Sequence, residues 1–141
     1  ALKSWCKMAK TVIALDIGLK RIGVALSLGQ GIIMPQNAII RQNRNQAATQ
    51  VRQLLDEWRA QSVVVGLPKG GIDEDAMERR IKHFMGLVNC EIPLFYVDEY
   101  GSSVEAKERM KGITKQCKDG KVDSLAAVII LERYFSQNKD A

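Results

Sequence analysis

Three carboxylate positions stand out in this sequence because of where they fall. Asp16 closes an apolar run, Val12 to Leu15. Asp98 and Glu99 close another, Ile92 to Val97. Asp123 lies in the first turn of an otherwise apolar stretch, Lys121 to Ser136. An ionised carboxylate at the end of an apolar strand is costly unless it is paired, hydrogen-bonded or bound to a cation. Three brought together repel one another and have raised pKa values unless a cation neutralises them. Such a cluster of hard oxygen ligands suits Mg²⁺ or Mn²⁺, with water completing the shell. Two such ions clamp the attacking water and the leaving oxygen of a phosphodiester in an in-line displacement. The chemistry this pattern predicts is metal-dependent hydrolysis of a phosphodiester.

That chemistry requires elements that bring the three positions to one place. Thr11 to Ser27 reads as a buried strand ending at Asp16, a tight turn holding Gly18, Lys20 and Arg21, and a returning strand. Gly31 to Arg41 reads as a third strand, whose Pro35 confines its first half to an edge or a bulge. Asn43 or Asn45 caps the helix that follows, with Ala47, Val51, Leu54, Leu55 and Trp58 on one face and Arg44 and Arg52 off it. Ser62 to Leu67 is a β-branched run typical of a strand buried on both faces, and Pro68 to Gly71 makes a loop at its end. Asp73 to Asn89 is a second long helix, with Met77, Ile81, Phe84 and Val88 along one face and early acids suited to a helix N-terminus. Ile92 to Val97 reads as a further buried strand, and Val104 to Lys111 as a short helix. The last helix, Lys121 to Ser136, is apolar around most of its circumference and should be largely buried. Strands alternating with helices predict a parallel α/β sheet, in which strands running the same way end at one edge.

Competing structural roles exist for each acid. Asp16 is also placed to accept from the Gly18 turn, and Asp123 to cap its helix. Asp98 and Glu99 point to opposite faces if the strand runs through them, and spacing does not decide which faces the site. A basic stretch follows, with Lys107, Arg109, Lys111, Lys115, Lys118 and Lys121 opposed only by Glu108 and Asp119. It is either a solvated face or, with Lys20 and Arg21, a grip on backbone phosphates.

The bulk properties bound these readings. A chain of 141 residues predicts one compact domain, here residues 10–141, with residues 1–9 an added N-terminal extension and Met8 a candidate native start. A 26% charged and 46% hydrophobic composition is that of a globular protein, which excludes a disordered chain. The net charge of +5 favours an anionic partner, nucleic acid first. The longest apolar run, Leu125 to Leu131, is far short of the roughly 20 residues of a membrane helix. Cys6, Cys90 and Cys117 form no disulfide or zinc pattern, so reduced thiols in a cytoplasmic protein are expected. His83 has no partner histidine and reads as a solvated helix position.

The motif D-x-G-x-x-R-x-G at Asp16, Gly18, Arg21 and Gly23 resembles the YqgF family, also called RuvX. So do VVGLP at Val64 to Pro68, VDE at Val97 to Glu99, SVEA at Ser103 to Ala106 and KVDSLAAVIIL at Lys121 to Leu131, in the family's order and spacing. The resemblance implies an RNase H-like fold, a five-stranded mixed sheet with helices on both faces. It implies a metal-dependent nuclease, implicated in maturing the 5′ end of pre-16S ribosomal RNA and earlier proposed as a Holliday-junction resolvase. It also selects the acids: Asp16, Glu99 and Asp123 are the implied catalytic and metal-binding set, so Glu99 is favoured over Asp98. Lys20, Arg21, Lys69, Lys118 and Lys121 are the candidate contacts to nucleic acid, which is structured RNA or branched DNA. A monomer or weak homodimer is expected. Two positions depart from the family pattern. Tyr100 stands where the family has Arg, and Lys69 to Asp73 replaces an Asn-x-Asp-Gly-like loop.

Other readings compete with an RNA nuclease. A junction-resolving DNA nuclease needs two sites related by a two-fold axis, hence a dimer. An actin-like or sugar-kinase-like ATPase opens with a similar D-x-G hairpin but uses two such domains, and no P-loop motif is present. A non-catalytic nucleic-acid-binding module would bind no divalent cation.

Overall fold

The computed structural model describes residues 11–29, 32–68, 73–98 and 124–137. Five strands and three helices alternate: β1 (Val12–Ile17), β2 (Arg21–Ser27), β3 (Ile33–Ile40), α1 (Arg44–Glu57), β4 (Ser62–Leu67), α2 (Glu74–Val88), β5 (Leu94–Asp98) and α3 (Leu125–Gln137). The strands form one sheet in the order β3-β2-β1-β4-β5. β1 is antiparallel to β2 and β2 to β3, whereas β1, β4 and β5 run parallel. The carboxyl ends of β1, β4 and β5 therefore share one edge. This is the five-stranded mixed sheet that the family resemblance implies; the alternation alone predicts a parallel sheet, and the β1–β2–β3 antiparallel pairs depart from it.

Side chains alternate across each strand, so each buried strand feeds two cores. Ile13, Leu15 and Ile17 of β1 pack with Val63, Val65 and Leu67 of β4 beneath α1 and α2. Val12 and Ala14 face the other way and pack with Val64, Val97 and the buried side of α3. Helices thus cover both faces. α3 is apolar nearly all round, and Ala126 to Leu131 are all buried, as its composition predicts.

The helix termini show why the elements end where they do. Asn43, rather than Asn45, caps α1. Its Oδ1 accepts from the Gln46 N–H at 2.8 Å, and Gln46 Oε1 accepts from the Asn43 N–H at 3.3 Å. This reciprocal box satisfies two donors that a helix start leaves unpaired. Arg52 lies off the apolar face of α1 and caps its neighbour. Its Nε and Nη2 donate to the terminal carbonyls of α2, Val88 at 2.9 Å and Leu87 at 3.0 Å. Asp73 occupies the N-cap position of α2 but makes no side-chain cap bond, so the helix starts at Glu74 with Glu74 and Asp75 in its first turn.

Two expectations are corrected and a third is refined. β5 is not a buried strand. It has β4 as its only neighbour in the sheet, and of its five residues Val97 alone is buried. Met77 does not join the core with Ile81, Phe84 and Val88, because it overhangs a cleft described below. β3 is an edge strand, as Pro35 predicts, but Pro35 stays in register with Ala25. The irregularity falls later, where Ile22↔Ile39 and Val24↔Gln36 leave one extra residue on β3. The short helix expected at 104–111 and the basic stretch 107–121 lie outside the described residues. No described helix is long and apolar enough to cross a membrane.

Candidate active site

Asp16 is the penultimate residue of β1 and is half-buried. Alternation places it on the same face as Val12 and Ala14, the face that α3 covers. Its partner on β2 is Gly23. On the other side, the next step after the Leu15↔Val65 pair brings it level with Gly66 of β4, which in turn pairs with Val97 of β5. Asp16 therefore stands between two glycines. The facing residues of β2 and β4 thus place no side chain beside Asp16. A hard oxygen donor at a parallel sheet edge fits a divalent cation.

The turn that follows is held from three sides. The Gly18 N–H donates to the Arg21 carbonyl at 3.0 Å, closing the hairpin. A Cβ at Gly18 would sit 2.8 Å from that same oxygen, so only glycine permits the approach. Arg41, just beyond β3, donates from Nη1 to the Gly18 carbonyl at 2.6 Å and from its backbone N–H to the Lys20 carbonyl at 2.9 Å. Its guanidinium also lies 5.0 Å over the Phe84 ring. Burial, and then the neighbouring Arg44, lower its pKa from the ordinary arginine value. With the turn fixed, Lys20 and Arg21 are both exposed at its tip, beside the edge where Asp16 sits.

The start of α3 is tied to the same place. Ser124 is fully buried. Its Oγ accepts from the Val24 N–H at 2.9 Å and donates to the Gln36 carbonyl at 2.5 Å. Val24 and Gln36 face each other across β2 and β3 next to the irregular step. The hydroxyl bridges the two main-chain groups where the ladder is disturbed. Val24 pairs with Leu15 of β1, one residue from Asp16. The helix whose first turn was expected to carry an acid is thus anchored one register step from the β1 carboxylate.

β5 ends on one of its two candidate acids, Asp98. Val97 packs in the core beneath α3, and the Phe95 ring lies 5.4 Å from that of Tyr134 on α3. Asp98 pairs with Leu67, whose side chain is in the opposite core, so Asp98 belongs to the face of α1 and α2. Its carbonyl accepts from Arg133 Nη1 at 3.0 Å. The structure removes Asp98 from the face of Asp16. Of the remaining candidates, Glu99, Asp123, Lys69, Lys118 and Lys121 lie outside the described residues. Among the described residues no group of three metal-ligating side chains assembles. Residue spacing missed Ser124 and Arg41. A serine directly after Asp123 reads as an ordinary helix cap, and nothing local marks Arg41.

The sequence model of the family described as RuvX, Holliday junction resolvase, matches residues 10–137. A Sulfurovum protein (strain NBC37-1), whose name proposes it as a pre-16S rRNA nuclease, is 58% identical over 87% of this chain and 96% of its own. A protein of Sulfurimonas denitrificans (strain ATCC 33889 / DSM 1251) with the same name is 50% identical over 89% of this chain and 96% of its own. One from Helicobacter pylori (strain HPAG1), again so named, is 43% identical over 89% and 96%. Among solved structures, T. thermophilus RuvC in complex with a Holliday junction substrate aligns with a TM-score of 0.61 at 12% identity, covering 94% of this chain and 98% of its own. The fowlpox virus Holliday junction resolvase aligns with a TM-score of 0.55 at 13% identity, covering 93% and 99%. At these identities the structural likeness establishes the fold, RNase H-like, and nothing finer.

Proposed function

The chain belongs to the RuvX family, a nuclease family, and from that premise we propose that it is a metal-dependent RNA nuclease that trims the 5′ end of pre-16S ribosomal RNA in the cytoplasm. The observation that carries the reading is the placement of Asp16: half-buried, at the shared carboxyl edge, between two glycines, on the face of α3. The names of its relatives supply the substrate.

In this reading Asp16, Glu99 and Asp123 hold Mg²⁺ or Mn²⁺. Glu99 is preferred to Asp98 because the residue after Asp98 in an extended strand falls on the face of Asp16. Asp123 precedes the anchored Ser124 by one peptide, about 3.8 Å between Cα atoms. The bound cations would activate water and neutralise the charge that develops on the leaving oxygen. Asp16 contributes a fixed oxygen ligand, and the glycines beside it leave room for the phosphate. Lys20 and Arg21, with Lys69, Lys118 and Lys121, hold backbone phosphates on either side of the scissile bond. The protein acts as a monomer or weak homodimer.

The test is incubation of the pure protein with Mn²⁺ and either a ribosomal-precursor RNA or a four-way DNA junction. Asp16→Asn keeps the fold and should lower cleavage by more than the roughly 10–100-fold typical of an outer-shell partner. Near-normal cleavage by that variant would sink the metal-site assignment. Preferential cutting of the junction, with a dimer in sedimentation, would favour the second reading, which the family's own description suggests.

A further inference from the structure

A cavity among the described residues lies away from the face of Asp16. It is a cleft of about 840 Å³ on the opposite face, past the end of β1, between the β1–β2 turn, the start of α1 and the outer side of α2. Ile17, Ile81 and Phe84 line it with apolar surface, while Leu19 and Met77 are exposed at its wall. Its charged lining is almost all of one sign. Among the described residues Arg41, Arg44, Arg79 and Arg80 line it beside one acid, Asp73, and the neutral ring of His83. Among the described residues no hydrogen bond or ion pair engages Arg44, Arg79 or Arg80. Arg41 is immobilised by Gly18 and Phe84.

A solvated helix face disperses its charges and mixes their signs. Here two arginines from one helix and two from around the start of another converge on a concave surface with an apolar floor. Guanidinium groups are planar forks that match phosphate oxygens, and a cleft lined by one sign of charge concentrates its counter-ion. The turn that separates the cleft from Asp16 is short. Gly18 lines the cleft and lies two residues beyond Asp16, roughly 7 Å along an extended chain. A strand leaving the carboxylate edge crosses Lys20 and Arg21 and meets these arginines next.

We infer that this cleft is a second nucleic-acid subsite, which takes the phosphates of a single-stranded polynucleotide continuing from the strand at Asp16. The apolar wall at Leu19 and Met77 accommodates unpaired bases, which a duplex would keep stacked inside. The inference rests on the reading that the protein handles nucleic acid, and it adds where the strand runs.

The experiment measures binding without cleavage. Fluorescence anisotropy in EDTA, with 5′-labelled 20-nucleotide single strands of RNA and of DNA of one sequence, gives affinity against salt concentration. Arg79 and Arg80 are exposed, so Arg79→Ala/Arg80→Ala should keep the melting temperature. Losing two phosphate contacts should make the log–log salt slope shallower by about 1.4 and weaken binding about tenfold or more. Arg79→Lys/Arg80→Lys, which keeps the charge, should retain most of the slope. A loss confined to RNA assigns the contact to a 2′-hydroxyl-bearing strand, and an equal loss in both assigns it to the phosphates alone. Unchanged affinity and slope for both strands in the alanine variant would overturn the inference and point to an acidic protein partner instead. Asp16→Asn separates the two levels. Its cleavage of precursor RNA in Mn²⁺ tests the nuclease reading, whereas the salt slope of the arginine pair in EDTA tests the subsite, so failure of one is distinguishable from failure of the other.

Discussion

At the residue scale, a single hydroxyl links the last helix to the sheet. Ser124 is fully buried and satisfies two main-chain groups at once, the Val24 N–H and the Gln36 carbonyl. Its replacement leaves both without that partner in a dry interior, a loss of roughly 1–3 kcal/mol. Ser124→Ala should lower the melting temperature accordingly. Because the hydroxyl also fixes where α3 begins, the variant should weaken Mn²⁺ affinity, read by titration calorimetry on folded protein below its transition. A stability loss with unchanged metal affinity would make Ser124 structural only. Asp98 and Glu99 show the limit of reading residues singly. They are neighbours in sequence and both acids, yet Asp98 belongs to the face away from Asp16 because Leu67 beside it does.

At the scale of elements, the β1–β2 hairpin is built for a fixed tip. Gly18 approaches the Arg21 carbonyl closely, and Arg41 ties the turn to the end of β3 while resting on Phe84 of α2. Gly18→Ala puts a methyl group 2.8 Å from the Arg21 oxygen, so the turn has to open. Overpacking of this kind costs about 1–3 kcal/mol. The expected outcome is a lower melting temperature together with a raised KM for RNA, because Lys20 and Arg21 move with the turn. A change in stability alone would show that the tip does not touch substrate. Arg52 illustrates a different use of the same side chain. It closes the carboxyl end of α2 and has no place at the site.

At the scale of the whole molecule, the sheet divides the work between its faces. One face carries Asp16 and α3, and the other carries the arginine cleft under α1 and α2. With a net charge of +5, substrate affinity should fall steeply with salt. Chelation should separate the two faces: EDTA should abolish cleavage of precursor RNA, and excess Mg²⁺ or Mn²⁺ should restore it, while binding of the single strand persists throughout. Cleavage that survives chelation and dialysis would contradict a metal-dependent mechanism.

The sequence by itself determined most of the local elements and, β5 and Met77 apart, the face each one buries, because periodicity and caps act over a few residues. The hairpin ending at Asp16, the doubly buried β4 and the apolar α3 were all legible in this way. Only the tertiary structure decided the rest. Strand alternation says that adjacent acids face apart, but the register through β4 is what relates Asp98 to Asp16. Arg41 and Arg44 lie more than thirty positions from Arg79 and Arg80 in the sequence, so no local pattern marks their convergence. Even Asp16, conspicuous from the start as a carboxylate at the end of an apolar strand, needed the strand register to show that Gly23 and Gly66 are its neighbours. Spacing along a chain fixes which side of an element a residue occupies, whereas what stands opposite is fixed by contacts between elements distant in sequence.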